Sequence, residues 1–235
     1  MKQWQMYLAE VCGTFTLVFV GTTAVVGAVR LDAPVLVVIP FAFGLALLAG
    51  LYAFAEVSGG HFNPAVSLAM FLDGRMGVTD LLGYWVSQFA GGILASLLLL
   101  VATSKAEVAA TATNPSTNGT AFVMEVAFTA IFVIVILQSS SSERHAGTAL
   151  LAIPLTLVAI HFAAIPFSGS SVNPARTLGP DVVGNTWHGI WIYFVGPAVG
   201  ATLAWLIYTV VIRGDTNFRD DIQRLEGEVE TAAAH

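Results

Sequence analysis

Six apolar runs, at approximately residues 5–29, 35–57, 80–103, 120–140, 147–165 and 187–212, restrict what this chain can fold into. A helix needs roughly 20 mostly apolar residues to cross the hydrocarbon core of a bilayer, and each run supplies one crossing. Charged residues make up 10% of the 235, against about 25% in an ordinary soluble domain. Lipid is therefore the principal solvent, and the reading is an all-α membrane protein with six transmembrane helices. The first run continues from Lys2 to Val29 with no small-residue cleavage site, so it reads as a span and not as a cleavable leader. Cys12, the single cysteine, lies within it and reads as a small buried apolar residue.

Between the second and third runs, and again between the fifth and sixth, lie segments of about twenty residues, too apolar for solvent loops and too short to cross. They read as re-entrant elements. The stretches Arg30 to Pro34, Ser104 to Thr120 and Ser139 to His145 read as aqueous loops. Residues 1–212 thus form one membrane domain, and 213–235 a soluble acidic tail with Asp215, Asp220, Asp221, Glu226, Glu228 and Glu230. Ile222, Leu225 and Val229 are spaced there for a short amphipathic helix. With six crossings both termini share a side; Lys2, Arg75, Arg144, Arg213, Arg219 and Arg224 fall on it, and only Arg30 and Lys105 fall opposite. The excess of basic residues in cytoplasmic segments places both termini in the cytoplasm, with the protein multi-pass in the cell membrane.

The chain repeats itself. Glu10 opens EVCGTFTLVF in the first run and Glu125 opens EVAFTAIFVI in the fourth; SGGHFNPAVSL starts at Ser58 and SGSSVNPARTL at Ser168. Residues 1–103 form the first copy, 104–119 a connecting loop and 120–212 the second copy. Three crossings per copy is an odd number, so the second copy enters the membrane upside down, giving an inverted repeat. Asn63-Pro64-Ala65 and Asn173-Pro174-Ala175 then approach from opposite faces and meet near the middle.

Asn is a strong helix N-cap, and Pro suits the first helical position because its fixed φ fits and its missing N–H has no helical partner there anyway. Each Asn-Pro-Ala therefore starts a helix, and Val66 to Leu72 and Arg176 to Val183 supply two or three turns, half a crossing each. Irregular backbone at membrane depth is tolerated only in protein or beside a watery cavity, so the preceding SGGHF and SGSSV segments imply such a cavity. Two half-helices meeting by their N-termini place two positive dipole ends and two Asn amides at one point, where cations are repelled.

Paired NPA motifs in SGGHFNPAV and SVNPAR contexts resemble the major intrinsic protein superfamily, whose water-selective branch is the aquaporins; the resemblance covers the chain up to its tail. It implies a passive, ion- and proton-excluding water channel, with facilitation of glycerol or other small neutral solutes as the alternative and a structural or adhesive membrane protein as a remoter one. It also implies a homotetramer with one pore per subunit. Matched by local context, the selectivity filter falls on Phe43 in FAFGL, His161 in LVAIHF, Ser170 in SGSSVNPAR and Arg176. The same matching gives Glu10 and Glu125 a supporting role under the re-entrant loops. Bulky Phe and His narrow an aperture, while His, Ser and Arg replace hydrogen bonds that water loses on entry. Relatives passing glycerol have a small residue where His161 stands, and the Tyr193-Phe194 pair resembles the water type. Thr177, Asp181 and Glu56 depart from the common pattern; Glu56 and His61 are candidates for the cytoplasmic mouth. The chain lacks a nucleophile–base motif, a phosphate-binding loop and metal spacing among His61, His145, His161, His188 and His235. No catalysis, cofactor, metal or nucleic-acid partner is expected.

Overall fold

The computed structural model describes residues 2–215 and 218–233. His235 lies outside the described residues, as do the side chains of Arg144, Arg219, Asp221 and Ile222. The described residues form helices α1 (Gln3–Arg30), α2 (Val35–Ser58), α3 (Pro64–Leu72), α4 (Val78–Ala102), α5 (Lys105–Ala110), α6 (Asn118–Ser141), α7 (Glu143–Ser168), α8 (Pro174–Gly184), α9 (Ile192–Ile207) and α10 (Phe218–Ala233). A π-turn over Tyr208–Ile212 extends α9.

Six helices are long and apolar enough to cross a membrane: α1, α2, α4, α6, the part of α7 from Gly147, and α9 with its extension. Half-helices α3 and α8 have 9 and 11 residues, about 14 and 16 Å at 1.5 Å per residue. Neither crosses alone; end to end they make up about one hydrocarbon thickness. Helices α1 to α4 are repeated by α6 to α9, with α1 packed on α2 and α4 as α6 is on α7 and α9. Small residues set these approaches. A Cβ on Gly91 would lie 2.5 Å from the Val11 carbonyl oxygen, and one on Gly200 2.5 Å from that of Val126, so neither helix pair could close this far with a larger residue. The fold is thus six transmembrane helices with two re-entrant half-helices in an inverted repeat.

Two expected aqueous loops take a different form. Ser139 to His145 contains almost no loop: α6 runs to Ser141 and α7 begins at Glu143. Within α6, Ser140 and Ser141 satisfy their hydroxyls by donating at 2.6 Å to the carbonyl four residues back, of Ile136 and Leu137. The connection from Ser104 to Thr120 is solvated in part, with Ser104, Asn114 and Ser116 to Gly119 exposed, but it also holds a short helix and a buried edge. Ser104 and Glu107 cap α5 reciprocally, and Val108, Thr111 and Thr113 are buried. Gly184 of α8 allows this, since a Cβ there would sit 2.7 Å from Ala109 Cα.

The two ends of the bundle carry different polar clusters. At one, Arg30 Nε donates to Glu107 at 2.6 Å, and that hydrogen bond holds the Glu107 carboxyl below its ordinary range. At the end bearing both termini, Asp73 bridges Arg75 at 2.6 Å and Arg213 at 3.1 Å. The tail helix docks there: Arg224 Nη2 donates to the Leu72 carbonyl at 2.8 Å, at the C-terminus of α3. One turn on, Glu228 lies against Gly77, the N-cap of α4. A cation at a helix C-terminus and an anion at a helix N-terminus both suit the helix dipoles.

Candidate functional site

Each re-entrant arm hangs from a fully buried carboxylate. Glu10 accepts from Ser58 Oγ at 2.7 Å, His61 N at 2.9 Å, Phe62 N at 2.7 Å and Gln88 Nε2 at 2.7 Å. Glu125 accepts from Ser168 Oγ at 2.8 Å, Ser171 N at 2.9 Å and Val172 N at 2.7 Å. Tyr84 and Tyr193 complete the parallel by donating to the carbonyls of Ser58 and Ser168 at 2.6 and 2.7 Å. With their N–H groups tied back, the arms take irregular backbone: Gly59 and Gly169 end α2 and α7 at φ 87° and 75°, and Phe62 and Val172 have φ 49° and 47°. A left-handed φ is costly for a β-branched residue such as Val172 and persists only where the surroundings over-determine it.

The arms deliver Asn63 and Asn173 to each other. Each Asn Oδ1 caps its half-helix, accepting from Ala65 N at 2.9 Å and Ala175 N at 3.0 Å. Each amide nitrogen reaches across, Asn63 Nδ2 to the Val172 carbonyl at 2.8 Å and Asn173 Nδ2 to the Phe62 carbonyl at 2.9 Å. An amide NH2 carries two protons, so each Asn retains one N–H for the cavity that both line. Pro64 and Pro174 occupy the first helical positions, with Ala65 and Ala175 buried behind them.

That cavity is narrow, with room for little more than a water molecule. One wall is apolar, from Leu17, Leu47, Phe132, Leu157 and Val172; the polar side carries His61, Asn63, Asn173, His161 and Arg176. Its constriction brings α2, α7 and α8 together. The Phe43 ring lies 4.9 Å from the His161 ring, and Arg176 Cζ lies 5.2 Å from the Phe43 centroid. Arg176 Nη1 donates to the Thr111 carbonyl at 3.0 Å. The buried atoms His161 Nε2 and Arg176 Nε have no protein partner.

Ser170 sits beside this ring and does not border the passage; its hydroxyl is 3.3 Å from His161 Nδ1. Inward of the Asn pair, His61 borders both the passage and an open vestibule that also includes Arg75, Asp80, Tyr84 and Ser140. Glu56 is exposed on α2 and does not border either cavity. The Thr111 carbonyl escaped sequence reasoning, because every residue has a carbonyl and the 104–120 stretch resembles a solvated loop. Arg75 escaped it as an ordinary charge-count residue, yet its guanidinium binds Asp73, Ser140, Ser141 and the Leu137 carbonyl.

The family model described as Major intrinsic protein matches residues 1–208. The chain belongs to the major intrinsic protein family. It is a multi-pass membrane channel of that family, and its relatives include both water and glycerol types by name. It is 40% identical over 206 residues to "Glycerol uptake facilitator protein-like 6" of Lactiplantibacillus plantarum, covering 84% of this chain and 94% of that relative. It is 38% identical over 221 residues to "Aquaporin Z" of Rhodopseudomonas palustris, covering 87% of this chain and 92% of the relative. In structure it is similar to the aquaglyceroporin from Plasmodium falciparum, with TM-score 0.80 and 23% identity over 90% of this chain and 97% of that one. That last likeness shows the major intrinsic protein fold.

Proposed function

We propose that this channel conducts water passively and excludes ions and protons, with Phe43, His161 and Arg176 walling its selectivity filter and Ser170 joining that filter through its contact with His161. The carrying observation is the constriction, where Phe43, His161 and Arg176 close on one another and two buried nitrogens, His161 Nε2 and Arg176 Nε, have no protein partner. A buried polar atom without a partner costs about 1–3 kcal/mol, which a passing water relieves. An aperture walled by two rings and a guanidinium suits one small molecule that both donates and accepts.

Farther in, water meets the remaining N–H of Asn63 and Asn173, at the N-terminal ends of both half-helices. Both amides donate, so a water there offers its oxygen to them, which breaks a proton-carrying chain of waters; the dipole ends add repulsion of cations. Glu10 and Glu125 support the site by holding both arms in place. His61 forms the inner neck.

A second reading, passage of glycerol or another small neutral solute, is favoured by the continuous apolar wall of Leu17, Leu47, Phe132 and Leu157 and by the name of the Lactiplantibacillus relative. Vesicles containing the purified protein, challenged with sucrose and then with glycerol, separate the two. The expected result is sucrose-driven shrinkage faster than in empty vesicles, and glycerol-driven re-swelling no faster. Fast re-swelling would transfer the proposal to the second reading; neither effect would leave a structural role.

The family resemblance further suggests a homotetramer in the cell membrane with both termini cytoplasmic. A one-copy mass by light scattering in mild detergent would oppose the tetramer, and tail cleavage by protease applied from outside intact cells would oppose the orientation.

A further inference from the structure

Thr177 stands four residues after Asn173 on α8, as Ser67 stands four after Asn63 on α3. Each hydroxyl meets the side chain two residues before its Asn: Ser67 Oγ is 3.0 Å from His61 Nδ1, and Thr177 Oγ1 is 2.6 Å from Ser171 Oγ. The repeat breaks at the next partner. Gln88 of α4, four residues after Tyr84, donates to Ser67 at 2.9 Å. Four residues after Tyr193 the matching place on α9 holds Pro197, whose side chain has no donor. Thr177 is met instead by Thr113 of the segment joining the two halves, at 3.2 Å.

Proton counting orients this chain of hydroxyls. A hydroxyl has one proton to donate. That of Ser171 goes to the Asn173 carbonyl at 2.7 Å. Thr177 is therefore the donor to Ser171, and in the contact between Thr113 and Thr177 the donor is Thr113, whose hydroxyl also meets Tyr193. The relay Thr113, Thr177, Ser171, Asn173 ties the joining segment, the half-helix and the re-entrant arm together, with all three hydroxyl residues buried.

Two residues before Thr113 lies Thr111, whose carbonyl receives Arg176 Nη1. Arg176 is the chain neighbour of Thr177. The carbonyl that orients the guanidinium thus belongs to a segment fastened to α8 beside that same arginine. Other ties act farther along it, through Ser116 on the Phe167 carbonyl at 2.7 Å and through Ala109 packed against Gly184.

We propose that Thr177 is a positioning residue for selectivity: its hydroxyl, held between Thr113 and Ser171, keeps the Thr111 carbonyl on Arg176 and so fixes the guanidinium at the constriction. The inference rests on reading Arg176 as a filter donor. Thr177 itself does not line the passage and acts through Arg176. Without its hydroxyl, Thr113 keeps only Tyr193 as a partner, Ser171 keeps only the Asn173 N–H as a donor, the tie between the joining segment and the arm is cut, and Arg176 samples other rotamers that widen the aperture.

The test is the ratio of glycerol to water permeability in reconstituted vesicles, read together with elution profile and melting midpoint in detergent. Thr177→Val is expected to raise the ratio roughly tenfold, about the equivalent of one hydrogen bond; Thr113→Val should shift it in the same direction, and Thr177→Ser should return it to the wild-type value. Should Thr177→Val fail to fold, Thr113→Val carries the same test from the joining segment. Equal shifts in Thr177→Val and Thr177→Ser would mean packing, not hydrogen bonding, and would overturn the proposal. Arg176→Ala separates the levels of the argument. If it raises the ratio while the Thr177 and Thr113 valine variants do not, the positioning role is wrong; if it leaves the ratio unchanged, the filter assignment itself fails.

Discussion

Replacing Glu10 by Ala is expected to lower the melting midpoint of the purified protein by about 10 °C or more, or to prevent its accumulation. The carboxylate is fully buried and receives four donors, from Ser58, His61, Phe62 and Gln88. Removing it leaves all four without this acceptor, Gln88 keeping only its bond to Ser67, and each buried group left unpaired costs about 1–3 kcal/mol. The sum is at least about 4 kcal/mol, and each kcal/mol shifts the midpoint of a chain this size by roughly 2–4 °C. Two of those donors are backbone N–H groups of the re-entrant arm, so the first thing lost is the position of Asn63. Glu10→Gln should fail almost as badly, because its amide replaces one acceptor oxygen with a donor. Glu56→Gln is the control: that carboxylate is exposed on α2 and its loss should leave melting unchanged. Equal melting for Glu10→Ala and Glu56→Gln would show that the arms are held by something else.

His161→Gly is expected to raise glycerol permeability relative to water by at least about tenfold, roughly 1.4 kcal/mol taken from the barrier. The imidazole is buried, packed 4.9 Å from the Phe43 ring, and presents an unpartnered Nε2. Deleting it widens the constriction and joins it to the apolar wall of Leu47 and Leu157, which can accommodate a carbon backbone. Stopped-flow light scattering on vesicles measures both rates in one preparation. An unchanged ratio would place the size-limiting point elsewhere along the passage, His61 and the Asn pair being next to examine.

Much of this architecture is legible in the amino-acid sequence because the relevant signals are local. Apolar runs announce spans, Asn-Pro announces a helix start, and the recurrence of both around Glu10 and Glu125 announces the inverted repeat. The connections were less legible. The serines at 139–142 look like a solvent loop by composition, but their hydroxyls bond back within the helix. The stretch from Ser104 to Thr120 looks solvated by its Thr, Asn and Ser content, yet Thr111 and Thr113 are buried and meet groups on α8 more than sixty residues away. Polar composition does not distinguish a hydroxyl facing water from one facing another buried hydroxyl.

At the site, residue type marked Arg176 and His161 as unusual at membrane depth, and motif register put them near Asn173. It could not show that the Ser170 hydroxyl meets His161 or that Glu56 is exposed, since both outcomes follow from the path of the backbone around them. The break in the repeat at Pro197 is visible in the sequence, but its consequence appears only once Thr113 is seen filling the place that Gln88 fills in the other half.

On the proposed function, two half-helices joined through Asn63 and Asn173 create a passage open to water and closed to protons. Vesicles loaded with a pH-sensitive dye and exposed at once to an osmotic step and an acid step test it most directly. Shrinkage is expected to accelerate in proportion to the protein incorporated, with internal pH holding as it does in empty vesicles. Shrinkage at the empty-vesicle rate, or acidification that rises with protein content, would contradict it.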